Sequence, residues 1–220
     1  MDKINFNLDW SYSKIGDKNK IKCELPHDAM IYEKRNLSSQ GGINISYFEG
    51  YDYEYEKKFI IEKHLLDKII YLEFEGVYKD AEIYINGEFV IKENYGYNGF
   101  FAEINKFIHE GENILIVKCF NSDQPNSRWY TGSGIYRNVN MFIFEKEHIL
   151  LNEIKIQTKS YLNKMINLDV LTTNNGIINV EFYQNNQILE KFDFETDGHL
   201  NKDIILNNAL LWSNKEPNLI

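Results

Sequence analysis

Residues 68–75 read KIIYLEFE, and the alternation in this stretch indicates the fold class. In an extended chain, Leu72 and Phe74 would lie on one face, and Glu73 and Glu75 on the other. This pattern is typical of a β-strand with one face in a core and one face in solvent. The stretch therefore predicts a half-buried strand whose two glutamates face solvent.

The segments on either side carry similar strand signals. β-Branched and aromatic residues are enriched in four further runs, at residues 53–61, 80–86, 113–121 and 136–144. Asn86-Gly87 separates two apolar runs and accepts the positive φ angles of a type I′ turn, so it predicts a hairpin. Helical periodicity is limited to a single turn near residues 104–108. The sequence therefore predicts an all-β fold, arranged as a sandwich of two sheets.

The composition changes near residues 145–148. Before this point the chain is rich in Tyr, Phe, Trp and Gly, whereas the segments after it are shorter and richer in Asn. Five strands are predicted there, at residues 149–158, 165–172, 177–184, 188–194 and 203–206. We therefore expect two domains, 1–146 and 147–220. The second is shorter than the roughly 100 residues of an immunoglobulin-like sandwich, so we expect it to be truncated.

Composition argues against several classes of protein. The 220-residue chain has a net charge of −9, and its Lys and Glu residues are interspersed, so no nucleic-acid partner is expected. No apolar run reaches the roughly 20 residues that span a bilayer, and residues 1–10 lack the pattern of a signal peptide. We therefore expect a cytoplasmic protein without a membrane partner. Cys23 and Cys119 lie in strand-like runs, where buried free thiols are favoured over a disulfide.

Residues 125–139 read PNSRWYTGSGIYRNV and are the most distinctive part of the chain. An Arg-Trp-Tyr cluster precedes a Thr-Gly-Ser-Gly turn. Aromatic rings can cover the apolar face of a sugar, while guanidinium and amide groups hydrogen-bond to its hydroxyls. A predicted strand follows the turn, whereas a phosphate-binding loop needs a helix there. The segment therefore points to a carbohydrate ligand.

The sequence contains no recognisable catalytic or metal-ligating pattern. The five histidines are scattered singly, without the spacing of a zinc site. No nucleophile turn accompanies His27-Asp28, so a loop histidine held by local hydrogen bonds is favoured. Glu73 and Glu75 would be too well solvated to act as a glycosidase pair, which needs two carboxyls about 5 Å apart and one raised pKa. We predict no catalytic residue, metal site or cofactor in this chain.

Six motifs, occurring in order along the chain, resemble the N-terminal part of family 2 glycoside hydrolases, and most closely its β-galactosidase-like branch. They are LPHD at 25–28, FEGV with AEIYING at 74–77 and 81–87, YGY followed by Phe100 at 95–100, GEN at 111–113, RWYTGSGIYRNV at 128–139, and LWS with PNL at 211–213 and 217–219. The resemblance implies a jelly-roll sugar-binding domain at 1–146 and the start of an immunoglobulin-like domain at 147–220. It also implies a catalytic (β/α)₈ barrel of about 250 residues further along, which this chain does not contain.

The resemblance implies that the first domain walls the sugar pocket of a retaining hydrolase. In the family, a polar side chain just before the Trp contacts the terminal sugar. Asp123 and Asn126 are the candidates, and Arg128 and Trp129 are predicted to bind substrate beside them. In the structural alternative, Trp129 and Tyr136 pack between the jelly roll and the barrel, and Arg137 pairs with a carboxylate.

Several functions stay open. The first is a non-catalytic part of a β-galactosidase-like hydrolase that acts on a β-linked sugar and is inactive without its barrel. The alternatives are a free-standing carbohydrate-binding module, with Tyr95, Tyr97 and Trp129 as its exposed aromatics, or a homo-oligomer that forms through free sheet edges. β-Glucuronidase and β-mannosidase are rival specificities, since specificity is set mostly in the barrel. The full-length enzyme could also hold a metal ion.

Overall fold

The computed structural model describes all of residues 1–220 and divides them into two compact units, Met1–Glu145 and Lys146–Ile220. Both units are built almost entirely from β-strands, so the predicted all-β class is confirmed. None of the helical segments is long and apolar enough to cross a bilayer.

The first unit contains ten strands and three short 3₁₀ helices. The helices are Met30–Tyr32, Gly42–Ile45 and Lys63–Asp67. The strands are β1 (Asp2–Asn5), β2 (Trp10–Lys14), β3 (Ile21–Cys23), β4 (Tyr53–Ile61), β5 (Ile69–Phe74), β6 (Ala81–Ile85), β7 (Glu88–Glu93), β8 (Phe100–Glu103), β9 (Gly111–Cys119) and β10 (Val139–Phe144). No helix forms at residues 104–108, where the chain makes only a turn.

These strands form two antiparallel sheets. One has the strand order β1-β10-β5-β8, and the other has the order β3-β2-β4-β9-β6-β7. One core of buried apolar side chains draws on both sheets, and its fully buried members include Trp10, Tyr55, Leu72, Phe74 and Val117. Because each sheet hides one apolar face against this shared core, the predicted two-sheet sandwich is confirmed.

Local sequence patterns account for much of this sandwich. Leu72 and Phe74 are fully buried on one face of β5, as the alternation predicts. Asn86 and Gly87 have φ angles of 52° and 86°, so the β6–β7 hairpin closes through the predicted positive-φ turn.

The outer face of the four-stranded sheet differs from the prediction. Asn140 donates to Glu73 Oε2 at 2.9 Å and to Glu75 Oε1 at 3.3 Å, while Lys3 lies 3.5 Å from Glu73. These polar neighbours leave only 19% of the Glu73 side chain exposed. The prediction that both glutamates face open solvent is therefore wrong, because β10 places an amide beside them.

Strand β10 also differs from its predicted form. It begins at Val139, not at residue 136, and all six of its residues are buried. The chain just before it is held elsewhere, since Gly134 pairs with Tyr78 and the Tyr136 hydroxyl donates to the Gly96 carbonyl oxygen at 2.8 Å. Buried residues on both faces of β10 remove the expected alternation.

The second unit consists of five strands, β11 (Ile149–Ser160), β12 (Met165–Thr172), β13 (Gly176–Gln184), β14 (Gln187–Thr196) and β15 (His199–Ile205). Three of them form a sheet of order β11-β12-β15, and the other two form a hairpin. Its separate core includes Leu168, Val170, Phe182, Leu200 and Leu206. This unit therefore has its own apolar interior.

Candidate functional site

The carboxylate of Asp28 joins two segments that lie far apart in sequence. Its Oδ1 atom accepts hydrogen bonds from the backbone N–H groups of Met30 at 3.0 Å and Ser133 at 2.9 Å. Its Oδ2 atom accepts a hydrogen bond from the Tyr130 hydroxyl at 2.5 Å. Hydrogen bonds to an ionised acceptor are stronger than neutral ones. Asp28 thus fixes the 125–139 segment against the LPHD segment, residues 25–28.

Backbone hydrogen bonds extend this attachment on both sides of the turn. The N–H groups of His27 and Ala29 donate to the carbonyls of Ile135 and Ser133, both at 2.8 Å. On the other side, Gly134 and Tyr78 exchange two backbone bonds of 2.8 and 2.9 Å. The Thr-Gly-Ser-Gly turn is therefore held between two other segments of the unit.

Gly134 is required at this position by both conformation and space. Its φ angle of 129° lies in a region that side chains disfavour, and a Cβ atom there would lie 2.1 Å from the Tyr55 hydroxyl oxygen. The glycines of the turn thus permit both positive φ angles and close packing.

His27 packs in an aromatic cluster beside this turn. Its Nδ1 atom lies 2.8 Å from the Tyr55 hydroxyl, and its ring stacks on Tyr32 at 5.3 Å and contacts Tyr12 at 4.4 Å. Tyr55 belongs to β4, so the prediction of purely local hydrogen bonds is wrong. Burial lowers the pKa of His27, and the nearby Asp28 carboxylate offsets part of that effect.

Tyr130 connects Asp28 to a second aromatic pair. Burial and the hydrogen bond to Asp28 raise the pKa of Tyr130 well above its ordinary value, so its hydroxyl stays a donor. The ring centroids of Tyr130 and Phe48 are 5.6 Å apart, and the guanidinium of Arg35 lies 5.1 Å over the Phe48 ring. Arg35 was not singled out from the sequence, because only the fold brings it over Phe48 and so close to Tyr130.

The two polar candidates, Asp123 and Asn126, occupy different environments. The Asn126 amide donates to Asn121 Oδ1 at 2.6 Å and to the Asp123 carbonyl at 3.0 Å, and its own oxygen accepts from the Tyr78 hydroxyl at 3.2 Å. Asp123 is exposed. Asn126 therefore orders the segment that carries Arg128 and Trp129, whereas the Asp123 carboxylate faces solvent.

Arg128 and Trp129 lie together on the surface. Trp129 is 68% exposed, and the Arg128 guanidinium lies 4.8 Å from the centroid of its ring. Arg137 lies 5.8 Å over Tyr136 and forms no ion pair within the unit, so its predicted carboxylate partner is not found there. The segment thus presents two aromatic–guanidinium pairs.

A cluster of four tyrosines forms a second aromatic surface, of which only Tyr95 and Tyr97 are exposed. Tyr97 contacts Tyr78 at 5.4 Å, Tyr95 at 5.7 Å and Tyr136 at 6.4 Å between ring centroids. Tyr95 and Tyr97 are 59% and 58% exposed, as a sugar-stacking role would require. Tyr78 was missed from the sequence, although the same FEGV motif directly precedes it. Gly96 permits the packing, since a Cβ there would lie 2.4 Å from the Tyr78 ring.

Neither a reactive thiol nor a metal-ligating cluster is present among the described residues. Cys23 and Cys119 are free, as predicted, and burial raises the pKa of Cys23 to about 11. Such a thiol is protonated at neutral pH and is a poor nucleophile. No group of three or more His, Cys, Asp or Glu side chains is placed to hold a metal ion.

Comparison with known proteins is consistent with this geometry. Residues 28–144 match the family described as "Glycosyl hydrolases family 2, sugar binding domain". A beta-galactosidase of Bacteroides ovatus is 33% identical over 148 residues, which are 61% of this chain and 17% of that protein. A putative beta-glucuronidase of Formosa agariphila is 30% identical over 143 residues, which are 60% of this chain and 14% of that protein.

A solved structure matches nearly the whole chain. The crystal structure of a beta-glycosidase from Bacteroides vulgatus has a TM-score of 0.83 and 26% identity, and covers 99% of this chain and 31% of that one. The chain therefore spans less than a fifth of the two relatives and about a third of the solved structure.

Replacing Asp28 should destabilise the first unit. Asp28→Ala removes three hydrogen bonds to a charged acceptor, so we expect it to lower the free energy of unfolding by about 3 kcal/mol. Urea unfolding followed by tryptophan fluorescence measures the change. Asp123→Ala is the control, since that carboxylate is exposed in the same region. Equal effects of the two substitutions would contradict the role assigned to Asp28.

His27 should make stability depend on pH. Because burial lowers its pKa in the folded chain, the unfolded chain binds a proton more readily. The contribution of neutral His27 to the free energy of unfolding is therefore complete above the ordinary pKa of 6.5. It is lost as the pH falls below that value. Urea unfolding at several pH values should give a shallower decline for His27→Asn than for the unaltered chain. The same substitution at exposed His64 is the control, and identical declines for His27→Asn and the unaltered chain would count against this account.

Proposed function

This chain belongs to family 2 of the glycoside hydrolases, and from that membership we propose that it acts as the non-catalytic N-terminal part of a β-galactosidase-like retaining hydrolase. Residues 28–144 are the sugar-binding domain of that family. The activity of the whole protein on a β-linked sugar is part of the proposal, as is the catalytic barrel as the partner of this domain.

The fixed position of the 125–139 segment is the observation that supports the proposal most strongly. Asp28 and the backbone bonds on both sides of the turn hold the segment, while Arg128 and Trp129 stay exposed at its surface. A rigid loop with an exposed ring and an unpaired guanidinium suits one wall of a sugar pocket. In this proposal, Arg128 and Trp129 contact the substrate, and Asn126 orders the segment from within.

The acidic residues of the first unit support a non-catalytic role. A glycosidase needs two carboxyls placed about 5 Å apart around a substrate, with the pKa of one raised. Glu73 and Glu75 both accept hydrogen bonds from the Asn140 amide on the outer face of a sheet. The Asp28 carboxylate already accepts three hydrogen bonds within the unit. We infer that the reacting carboxylates come from the barrel.

We further propose that residues 147–220 belong to an immunoglobulin-like domain. In that fold, the first, second and fifth strands are neighbours in one sheet. The order β11-β12-β15 has this arrangement, since these are the first, second and fifth strands of the second unit. Of the remaining pair, β13 would correspond to the third strand, which belongs to the opposite sheet.

A free-standing carbohydrate-binding module is the second candidate. The exposure of Tyr95, Tyr97 and Trp129 favours it, because such modules stack sugars on solvent-accessible rings. It requires that this chain bind a sugar without a barrel.

The proposal predicts that residues 1–220 do not hydrolyse a glycoside. Purified chain incubated with 4-nitrophenyl β-galactoside should release nitrophenol no faster than a buffer blank, because the reacting carboxylates are proposed to come from the barrel. A full-length family 2 β-galactosidase serves as the positive control. Turnover above the blank that persists through repeated purification would overturn the proposal.

A further inference from the structure

The proposed role of residues 125–139 leaves two exposed tyrosine rings unexplained. Both lie in the loop between β7 and β8, at residues 94–99. Tyr95 and Tyr97 are 59% and 58% exposed, and their ring centroids are 5.7 Å apart. Single apolar side chains are common on the surface of a soluble protein, whereas contiguous exposed apolar surface marks binding sites. The two adjacent rings are therefore a candidate site.

Contacts within the first unit hold this loop in place. Tyr97 contacts the rings of Tyr78 and Tyr136 at 5.4 and 6.4 Å between centroids. The Tyr136 hydroxyl also donates to the Gly96 carbonyl oxygen at 2.8 Å. Rings that are ordered before binding lose little conformational entropy when a ligand stacks on them. The loop thus presents a preorganised aromatic surface.

Charged groups flank these rings. Glu93 Oε1 accepts a hydrogen bond from the Tyr95 N–H at 2.8 Å and keeps its negative charge. The exposed guanidinium of Arg137 lies 5.8 Å from the centroid of the Tyr136 ring. The core of a protein–protein interface is depleted of charged residues, whereas a sugar offers hydroxyls to both an acceptor and a donor. Because these contacts bring one charge of each sign, they do not select an anionic ligand.

We propose that Tyr95 and Tyr97 form a binding site for a neutral, β-linked oligosaccharide of at least two sugars. The β linkage is taken from the proposed function. The surface lies within residues 28–144, which match the sugar-binding domain. An aromatic ring covers the apolar face of a sugar, while flanking donors and acceptors bind its hydroxyls. Two exposed rings can contact two sugars, so an oligosaccharide should bind more tightly than a single sugar.

Nuclear magnetic resonance of the 220-residue chain tests this directly. The chain is titrated with linear β-linked galactotetraose, with cellotetraose and with methyl β-galactoside, while the backbone and ring signals of Tyr95 and Tyr97 are followed. We expect at least one tetrasaccharide to shift these signals with an affinity about fivefold higher than that of the monosaccharide, as one additional ring contact implies.

Substitutions assign the effect to the rings. Tyr95→Ala and Tyr97→Ala should each lower the affinity for the tetrasaccharide about fivefold, whereas Tyr97→Phe should keep most of it because the ring remains. Tyr97 contacts three rings and Tyr95 contacts one, so Tyr95→Ala disturbs the fold less. Tyr183→Ala in the second unit is the matched control, since that side chain is 48% exposed. The spectrum of each variant reports whether it is folded.

Three results would overturn the inference. They are no shift at Tyr95 or Tyr97 with either tetrasaccharide, equal affinity for the tetrasaccharides and the monosaccharide, or an unchanged affinity in both alanine variants. A tetrasaccharide that shifts the Trp129 signals and leaves both tyrosines unchanged would contradict the inference while supporting the role proposed for residues 125–139. The nitrophenyl assay tests the proposed function separately, whatever the titration shows.

Discussion

The three hydrogen bonds accepted by Asp28 position the candidate site. Two of them span 102 and 105 residues of the chain and join the LPHD segment to residues 130 and 133, while the third is local, to Met30. The strands alone would leave residues 125–138 as a connection between β9 and β10. With the carboxylate in place, this connection is fixed between the LPHD segment and Tyr78, and its exposed side chains keep a defined orientation.

Side chains of the sandwich also hold this connection in place. Tyr55, on β4, bonds to His27 and leaves room only for a glycine at 134. Tyr136 and Tyr78 pack around Gly96 and order the second aromatic surface. Buried residues thus fix the backbone, whereas the groups suited to a sugar, namely Arg128, Trp129, Tyr95 and Tyr97, stay accessible. Such a division suits a domain that positions ligand contacts and leaves bond cleavage to another part of the protein.

The sequence predicts those features that depend on neighbouring residues. The alternation at Leu72 and Phe74 indicates their burial, and Asn86-Gly87 indicates its turn. Features that depend on distant pairing could not be predicted from local patterns. The amide that covers Glu73 comes from β10, and the partner of His27 comes from β4. The position of Arg35 could not be predicted either, since only tertiary packing brings it close to Tyr130.

Asp28 should hold the 125–139 segment as rigidly as a strand of the sheet. Amide hydrogen exchange of Ala29, Tyr78, Ser133 and Gly134 measures this directly, because each of their N–H groups donates one of the bonds described. If Asp28 holds the segment, these amides exchange as slowly as those in the middle of β5. Exchange at the rate of an unstructured loop, with β5 still protected, would contradict it.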